Sequence, residues 1–349
     1  MSMEPATGDI KAWVGGIDWK HFQYDHVKQG KRQVGSTFKP FVYATAIMNL
    51  GMTPCSTVSN ATYTKGDWVV EGKGGNLTLR DALAHSKNPV AVRLIESVSP
   101  KKVIQLARDL GVTEEMPNEY AIALGSTDIT IYEMLGAYSS FANFGNYIKP
   151  EMVWRIEDAN GRVIKEVKNE TKEVMNEMYA YTMIDLMKGV TRFGTASGEL
   201  RRMGIPETVE IAGKTGTTQN NSDGWFMGIT PNLATGVWVG WEDRATHFYS
   251  TGEGQGARMA LPIWGIFMKK VWADKELGIT PDDKFAKPSN WTGDCADLQG
   301  LGGYGDDGGL QTIDQIKNPK PKDNQPKNNK PKEENLNENL NKDEVDFNQ

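Results

Sequence analysis

The stretch VEIAGKTGTTQNNSDGWFMGITPNLATGVWVGW, residues 209–241, decides the fold. Its apolar residues fall into three short runs, Val209 to Thr218, Gly224 to Ile229 and Ala234 to Trp241, separated by Gly, Pro, Asn and Asp. Runs of this length joined by tight turns read as an antiparallel meander. Upstream the period is different. A strand pattern from Thr7 to Gly15, stopped by Gly15-Gly16, gives way to helices at Phe38 to Leu50, Thr78 to Ala84, Pro89 to Ser97 and Pro100 to about Leu110. Two more run from Thr130 to Asn143–Gly145 and from Asn176 to Val190, and Pro262 to Trp272 forms a helix after the meander. This order fits an α+β fold, an antiparallel sheet flanked by helices with an additional helical lobe. The first strand and the last helix are expected in the sheet layer, and the active site between lobe and sheet.

Local signals support these bounds. Thr78 with Asp81 and Thr130 with Glu133 have capping-box spacing. Pro40 falls in a first turn, where its missing N–H matters little. Ser99 reads as an N-cap with Pro100 as first helical residue, and Gly51 and Gly111 as stops. Phe38, Phe41, Val42, Thr45 and Ala46 share one face of their helix. Trp225, Trp238 and Trp241 stand at strand spacing and read as sheet packing. Gly252-x-Gly254-x-Gly256 lacks a preceding strand and a βαβ context, so it is not read as a nucleotide site.

The chain has 349 residues, of which 38% are hydrophobic, and a formal net charge of -6. That charge argues against a nucleic-acid binder, which carries a basic face. Residues 1–300 read as one domain. Residues 301–349 are Gly-rich, then rich in Asn, Lys and Pro, and too poor in apolar surface to offset their ordering entropy, so they read as a disordered tail. The two cysteines, Cys55 and Cys295, suit one disulfide or two thiols equally, and the four histidines are scattered, so no metal site is expected. No apolar run reaches membrane-spanning length, and no signal peptide is visible. The start reads as that of a domain cut from a longer chain.

Three short motifs carry chemistry. In Ser36-x-x-Lys39 the two side chains lie one helical turn apart. A serine hydroxyl is a poor nucleophile until a base takes its proton, and lysine serves as base only where burial or a neighbouring cation lowers its pKa. A second match, Ser99-x-x-Lys102, is explained by helix capping. What distinguishes Ser36 is its setting, a Gly35 turn opening an apolar helix. In Ser86-x-Asn88 the hydroxyl both donates and accepts, so it can pass a proton, while the Asn88 amide can hold a substrate carbonyl; taken alone, the pair also fits helix capping. Lys214-Thr215-Gly216-Thr217 lies in a strand. Its cation and hydroxyls suit a carboxylate, and Gly216 lets an extended ligand lie flat on an edge. The backbone N–H groups of Ser36 and Thr217 are the expected oxyanion hole. Lys39 is expected to titrate well below an ordinary lysine, because Lys214 approaches the same pocket.

In combination these segments resemble the transpeptidase domain of class A (bifunctional) penicillin-binding proteins, within the serine penicillin-recognising family. Arg32-Gln33-Val34-Gly35-Ser36-Thr37-Phe38-Lys39-Pro40-Phe41 is similar to the family's nucleophile segment. Asp81-Ala82-Leu83-Ala84-His85-Ser86-Lys87-Asn88 is similar to its second motif. Ala212 to Thr218, followed by Asp223 to Gly228, is similar to its third motif and next strand. The resemblance covers roughly Thr7 to Trp272. It implies acylation of Ser36 by a D-alanyl-D-alanine stem peptide, release of D-alanine, and attack by a neighbouring stem's amine to form a cross-link. In those roles Lys39 is the base, Ser86 with Lys214 the proton path, Asn88 the holder of the substrate amide, and Thr215 and Thr217 the binders of the terminal carboxylate. β-Lactam antibiotics would acylate the same serine. No metal or organic cofactor is implied. The resemblance further implies an upstream glycosyltransferase domain and a membrane anchor, with the domain at the outer face of the cytoplasmic membrane, in the periplasm. The segment Arg192 to Gly198 resembles a family glycine-threonine loop only loosely and receives no role.

Two other readings compete. A D,D-carboxypeptidase would use water as acceptor. A penicillin sensor or envelope scaffold would keep the pocket without turnover. A β-lactamase is disfavoured by size, by the class A-like flanks and by the expectation that no Glu-x-x-x-Asn element between the second and third motifs supplies a deacylating carboxylate.

Overall fold

The computed structural model describes residues 1–291, apart from Trp19 and Gln219. The segment 301–349, read above as a disordered tail, and Cys295 lie outside the described residues, and Cys55 is not a free thiol. Among the described residues no helix is long and apolar enough to cross a membrane.

The meander forms, but its first strand starts at Ala212 rather than Val209, and Trp241 lies past the third strand and is exposed rather than packed on the sheet. A motif strand, Ala212–Thr217, pairs with a middle strand, Asp223–Ile229, which pairs with a third strand, Ala234–Gly240, all antiparallel. Two short strands, Ser2–Met3 and Ile10–Ala12, extend the third strand side, so the motif strand is one edge of a five-stranded sheet. The single strand expected from Thr7 to Gly15 is corrected here: Thr7 and Gly8 form a turn, and only Ile10–Ala12 is extended. Ser2–Met3 owes its strand state to the third strand, with the Ser2 Oγ 2.8 Å from the Thr235 Oγ1 and Met3 fully buried. No local pattern announces a partner that far along the chain.

Side chains of the middle strand alternate between two layers. Gly224, Phe226 and Gly228 face the helix α9 (Gly256–Ala273), with the Phe226 and Trp264 rings 5.2 Å apart. Met227 and its partner Gly236 face Ile131 on α5 (Ile131–Ala142). α6 (Glu177–Arg192) packs beside the motif strand. α9 starts six residues before the expected Pro262, which it accommodates internally. The glycine-rich run supplies α8 (Thr251–Gly254) and the first residue of α9.

The lobe contains α1 (Lys39–Leu50), α2 (Leu79–Ala84), α3 (Asn88–Val98) and α4 (Pro100–Asp109). The caps Thr78 and Thr130 accept from the amides of Asp81 and Glu133 at 3.1 and 3.2 Å. Ser99 does stand at the start of α4, but its side chain makes no capping bond; its φ of 80° turns the chain between α3 and α4. α1 was expected to bury one face. Instead every residue from Lys39 to Ile47 is buried, because lobe helices and α6 surround it. A helix apolar all round belongs in the core.

Candidate active site

Ser36 lies in a 3-10 turn, Gly35–Phe38, that runs directly into α1, so Lys39 is the first residue of the α-helix. Gly35 has φ +53°, and a Cβ there would stand 2.7 Å from the Thr217 carbonyl oxygen and 3.3 Å from its nitrogen. Only glycine allows this conformation at that distance. The turn is further tied by the Tyr138 hydroxyl, which donates to the Thr37 carbonyl at 2.5 Å, and by the Trp225 indole, which donates to the Gln33 carbonyl at 2.9 Å. The turn that carries Ser36 is thereby packed against the backbone of Thr217. The Ser36 hydroxyl is half-buried and has no hydrogen-bond partner among the described residues.

Lys39 and Lys214 are both fully buried and converge on Ser86. The Lys39 Nζ donates to the Ser86 carbonyl at 2.5 Å, to its Oγ at 3.1 Å and to the Asn88 Oδ1 at 2.6 Å. The Lys214 Nζ donates to the same Ser86 Oγ at 2.9 Å and to the Thr215 carbonyl at 3.0 Å. Ser86 reaches both because it sits between α2 and α3 with φ 55°, a left-handed conformation that costs energy for serine. Burial, then the charges of Lys214 and Lys87, hold the Lys39 ammonium well below the ordinary lysine range. Burial alone pushes Lys214 down to about 7. The contribution of Lys87 was not foreseen. A neutral Lys39 has two N–H bonds, and the Ser86 carbonyl and the Asn88 Oδ1 can only accept. Those two contacts use both hydrogens, so toward the Ser86 Oγ at 3.1 Å the neutral nitrogen can only accept, through its lone pair. With its oxygen held by Lys39, Asn88 has its NH₂ left to donate.

In the motif strand, Lys214 and Gly216 face the nucleophile turn; a Cβ on Gly216 would lie 2.8 Å from the Thr37 Cγ2 and from the Val34 carbonyl oxygen. Thr217 Oγ1 accepts from the Gly256 N–H at 3.1 Å, and its own O–H has no acceptor among the described residues. The Thr215 hydroxyl lies 2.7 Å from that of Thr195, in the loop between α6 and α7 (Ser197–Arg202). Thr195 was therefore missed. Its signal was the loose likeness of Arg192 to Gly198 to a glycine-threonine loop, which received no role; a Cβ on Gly194 would come 2.2 Å from the Ala84 carbonyl oxygen, so this loop packs on the helix leading to Ser86. An apolar cavity of 540 Å³, lined among others by Val14, Ile17, Trp241, Ile263 and Phe267, contains none of these residues. Chemistry, not concavity, marks the site.

Two buried lysines that share the Ser86 hydroxyl, one of them three residues after Ser36, at the edge of an antiparallel sheet, have the residue types of the serine penicillin-recognising fold. Comparison with known proteins gives the family. The model of the penicillin binding protein transpeptidase domain matches residues 1–245, and the chain belongs to that family. Penicillin-binding protein 1A of Aquifex aeolicus is 36% identical over 297 residues, covering 81% of this chain and 39% of that protein. Its namesake in Neisseria meningitidis is 34% identical over 294 residues, covering 79% of this chain and 36% of that protein. The chain thus spans about two fifths of the length of these relatives. A crystal structure of penicillin-binding protein 1A from Haemophilus influenzae superposes with TM-score 0.73 at 25% identity, over 83% of this chain and 49% of that one. PonA1 of Mycobacterium tuberculosis in complex with penicillin V superposes with TM-score 0.70 at 25% identity, over 82% of this chain and 80% of that one.

Proposed function

We propose that this chain is a peptidoglycan D,D-transpeptidase domain, and the observation that carries the reading is the convergence of two buried lysines on Ser86, one of them, Lys39, three residues after Ser36 on the same turn. Neutral Lys39 accepts the Ser36 proton as Oγ bonds to the carbonyl carbon of the penultimate D-alanine. Negative charge develops on the carbonyl oxygen, where the N–H groups of Ser36 and Thr217 receive it; one such donor is often worth roughly 3–4 kcal/mol. The proton returns through Lys39 and Ser86 to the leaving nitrogen, the C–N bond breaks, and D-alanine departs. A neighbouring stem's amine then attacks the acyl-serine, and Ser36 regains its proton. The stem lies along the motif strand, with the Asn88 NH₂ on its amide and Thr215, Thr217 and Lys214 at its terminal carboxylate.

A β-lactam acylates Ser36 by ring opening, so its leaving nitrogen stays attached and the adduct persists. Rapid release would need a carboxylate to activate water. The spacing Glu114-x-x-x-Asn118 does occur between the second and third motifs, but Glu114 pairs with Lys31 at 2.9 Å. Among the described residues, the charges that act on Lys39 are those of Lys214 and Lys87. This favours a slow-releasing acyl-enzyme over a β-lactamase. We further assign residues 1–300 to the catalytic domain, and place the whole protein in the cell envelope with a glycosyltransferase domain and a membrane anchor.

The test is intact-protein mass spectrometry with a simple penicillin on the wild type and on Ser36→Ala. One adduct per chain, mapping to the Ser36 peptide and absent from the variant, is expected. A folded wild type that takes no adduct would falsify the reading.

A further inference from the structure

We infer that Arg32 and Asp223 are a positioning pair for acylation, an inference that rests on the reading of Ser36 as nucleophile. One buried carboxylate touches both halves of the site, from residues 191 positions apart. Arg32 stands four residues before Ser36, in a two-residue strand, Arg32–Gln33, that pairs with Asp128–Ile129. Its Nε donates to the Asp223 Oδ1 at 2.7 Å, and its Nη1 to the Glu242 carbonyl at 3.0 Å. Asp223 opens the middle strand and is fully buried. The Trp238 indole donates to the same Oδ1 at 3.0 Å, and its ring lies 5.0 Å from the guanidinium carbon of Arg32.

The other carboxylate oxygen belongs to the third motif. Oδ2 accepts from the Ser222 hydroxyl at 2.7 Å and from the Thr218 hydroxyl at 3.3 Å. The Asp223 amide donates back to the Thr218 Oγ1 at 3.1 Å. Thr218 follows Thr217 directly. The carboxylate therefore binds the nucleophile segment through one oxygen and the end of the motif strand through the other.

A buried ion pair is weak evidence for stability, because desolvation offsets much of its attraction. What a rigid guanidinium held by a fixed carboxylate on one side and the Glu242 carbonyl on the other supplies is direction. The two N–H groups assigned to the oxyanion sit at the two ends of this clamp. Preorganised donors stabilise charge only where they are held in place, and a misplacement near 1 Å can cost on the order of 100-fold in rate.

The experiment measures penicillin binding (Kd) and the acylation rate constant (k2) separately, by rapid quench and mass spectrometry. It uses the wild type, Arg32→Met, Asp223→Asn and the double variant, with melting temperatures recorded. Each single variant should lower k2 by roughly tenfold or more, with Kd little changed and the pH midpoint of k2 unmoved. The double variant should be no slower than the slower single one, since both remove one clamp. A purely structural pair would lower the melting temperature and leave k2 of the folded protein unchanged. Should Asp223→Asn not fold, Thr218→Val removes one hydroxyl contact without touching a charge, and should lower k2 in the same sense. Values of k2 within twofold of the wild type in folded variants, or effects that multiply in the double variant, overturn the inference alone. Absence of the Ser36 adduct on the wild type overturns the nucleophile reading and this inference with it.

Discussion

Two ammonium groups cannot share one dry pocket at full charge. Lys39 and Lys214 both contact the Ser86 hydroxyl and both are buried, so burial and like charge together disfavour the ammonium form at Lys39. The consequence is a pH dependence of known sign. In the proposed mechanism protonation of Lys39 removes the base, so penicillin acylation should fall as pH falls through an apparent pKa well below that of free lysine. Because the two amines interact, the limb belongs to the pair rather than to either residue. Lys214→Met removes one of the two like charges and should move the limb to higher pH, toward the ordinary lysine range. Rates measured from about pH 5 to 10 that show no acid limb would rule out lysine as the base.

At the scale of elements, the motif strand is approached closely by backbone at three glycines. The nucleophile turn meets it at Gly35 and Gly216, and α9 meets it at Gly256. A Cβ at Gly256 would stand 2.3 Å from the carbonyl oxygens of Gly216 and Trp225, neither of which can rotate away. The same residue donates its N–H to the Thr217 hydroxyl. Gly256→Ala should therefore push α9 off the strand, at a cost of about 1–3 kcal/mol typical of overpacking. Calorimetry would register this as a lower melting temperature, and acylation should slow because Thr217 loses its anchor. An alanine variant with unchanged melting and acylation would show that α9 seats elsewhere.

Across the whole molecule, the two lysines couple function to stability. Lys214 titrates near 7 in the fold against a reference of 10.5. Between these values the unfolded chain binds the additional proton, so stability rises with pH, by up to about 1.4 kcal/mol per pH unit for one proton. The cost of burying this lysine is complete below about pH 7 and gone above about 10.5. Lys214→Met lacks the term. Urea unfolding of both proteins should give a stability difference that moves in favour of the wild type as pH rises from 7 to 10. A difference that stays constant with pH would mean that Lys214 keeps its charge in the fold.

The amino-acid sequence by itself determined the meander, the caps at Thr78 and Thr130, the stop at Gly51 and the three motifs in order, because each rests on spacing within a few residues. It did not reveal that Ser2–Met3 is a strand, that α1 is buried on every side, or that α9 begins at Gly256. Each of those depends on a partner far along the chain: the third strand, the surrounding helices, and the backbone of the motif strand. The same division runs through the site. Ser36, Lys39, Ser86, Asn88 and Lys214 were legible as types at set intervals. That Ser86 takes both lysines, that Thr195 meets Thr215, and that Asp223 ties Arg32 to Thr218 are results of tertiary packing, which alone brings such residues within hydrogen-bond distance.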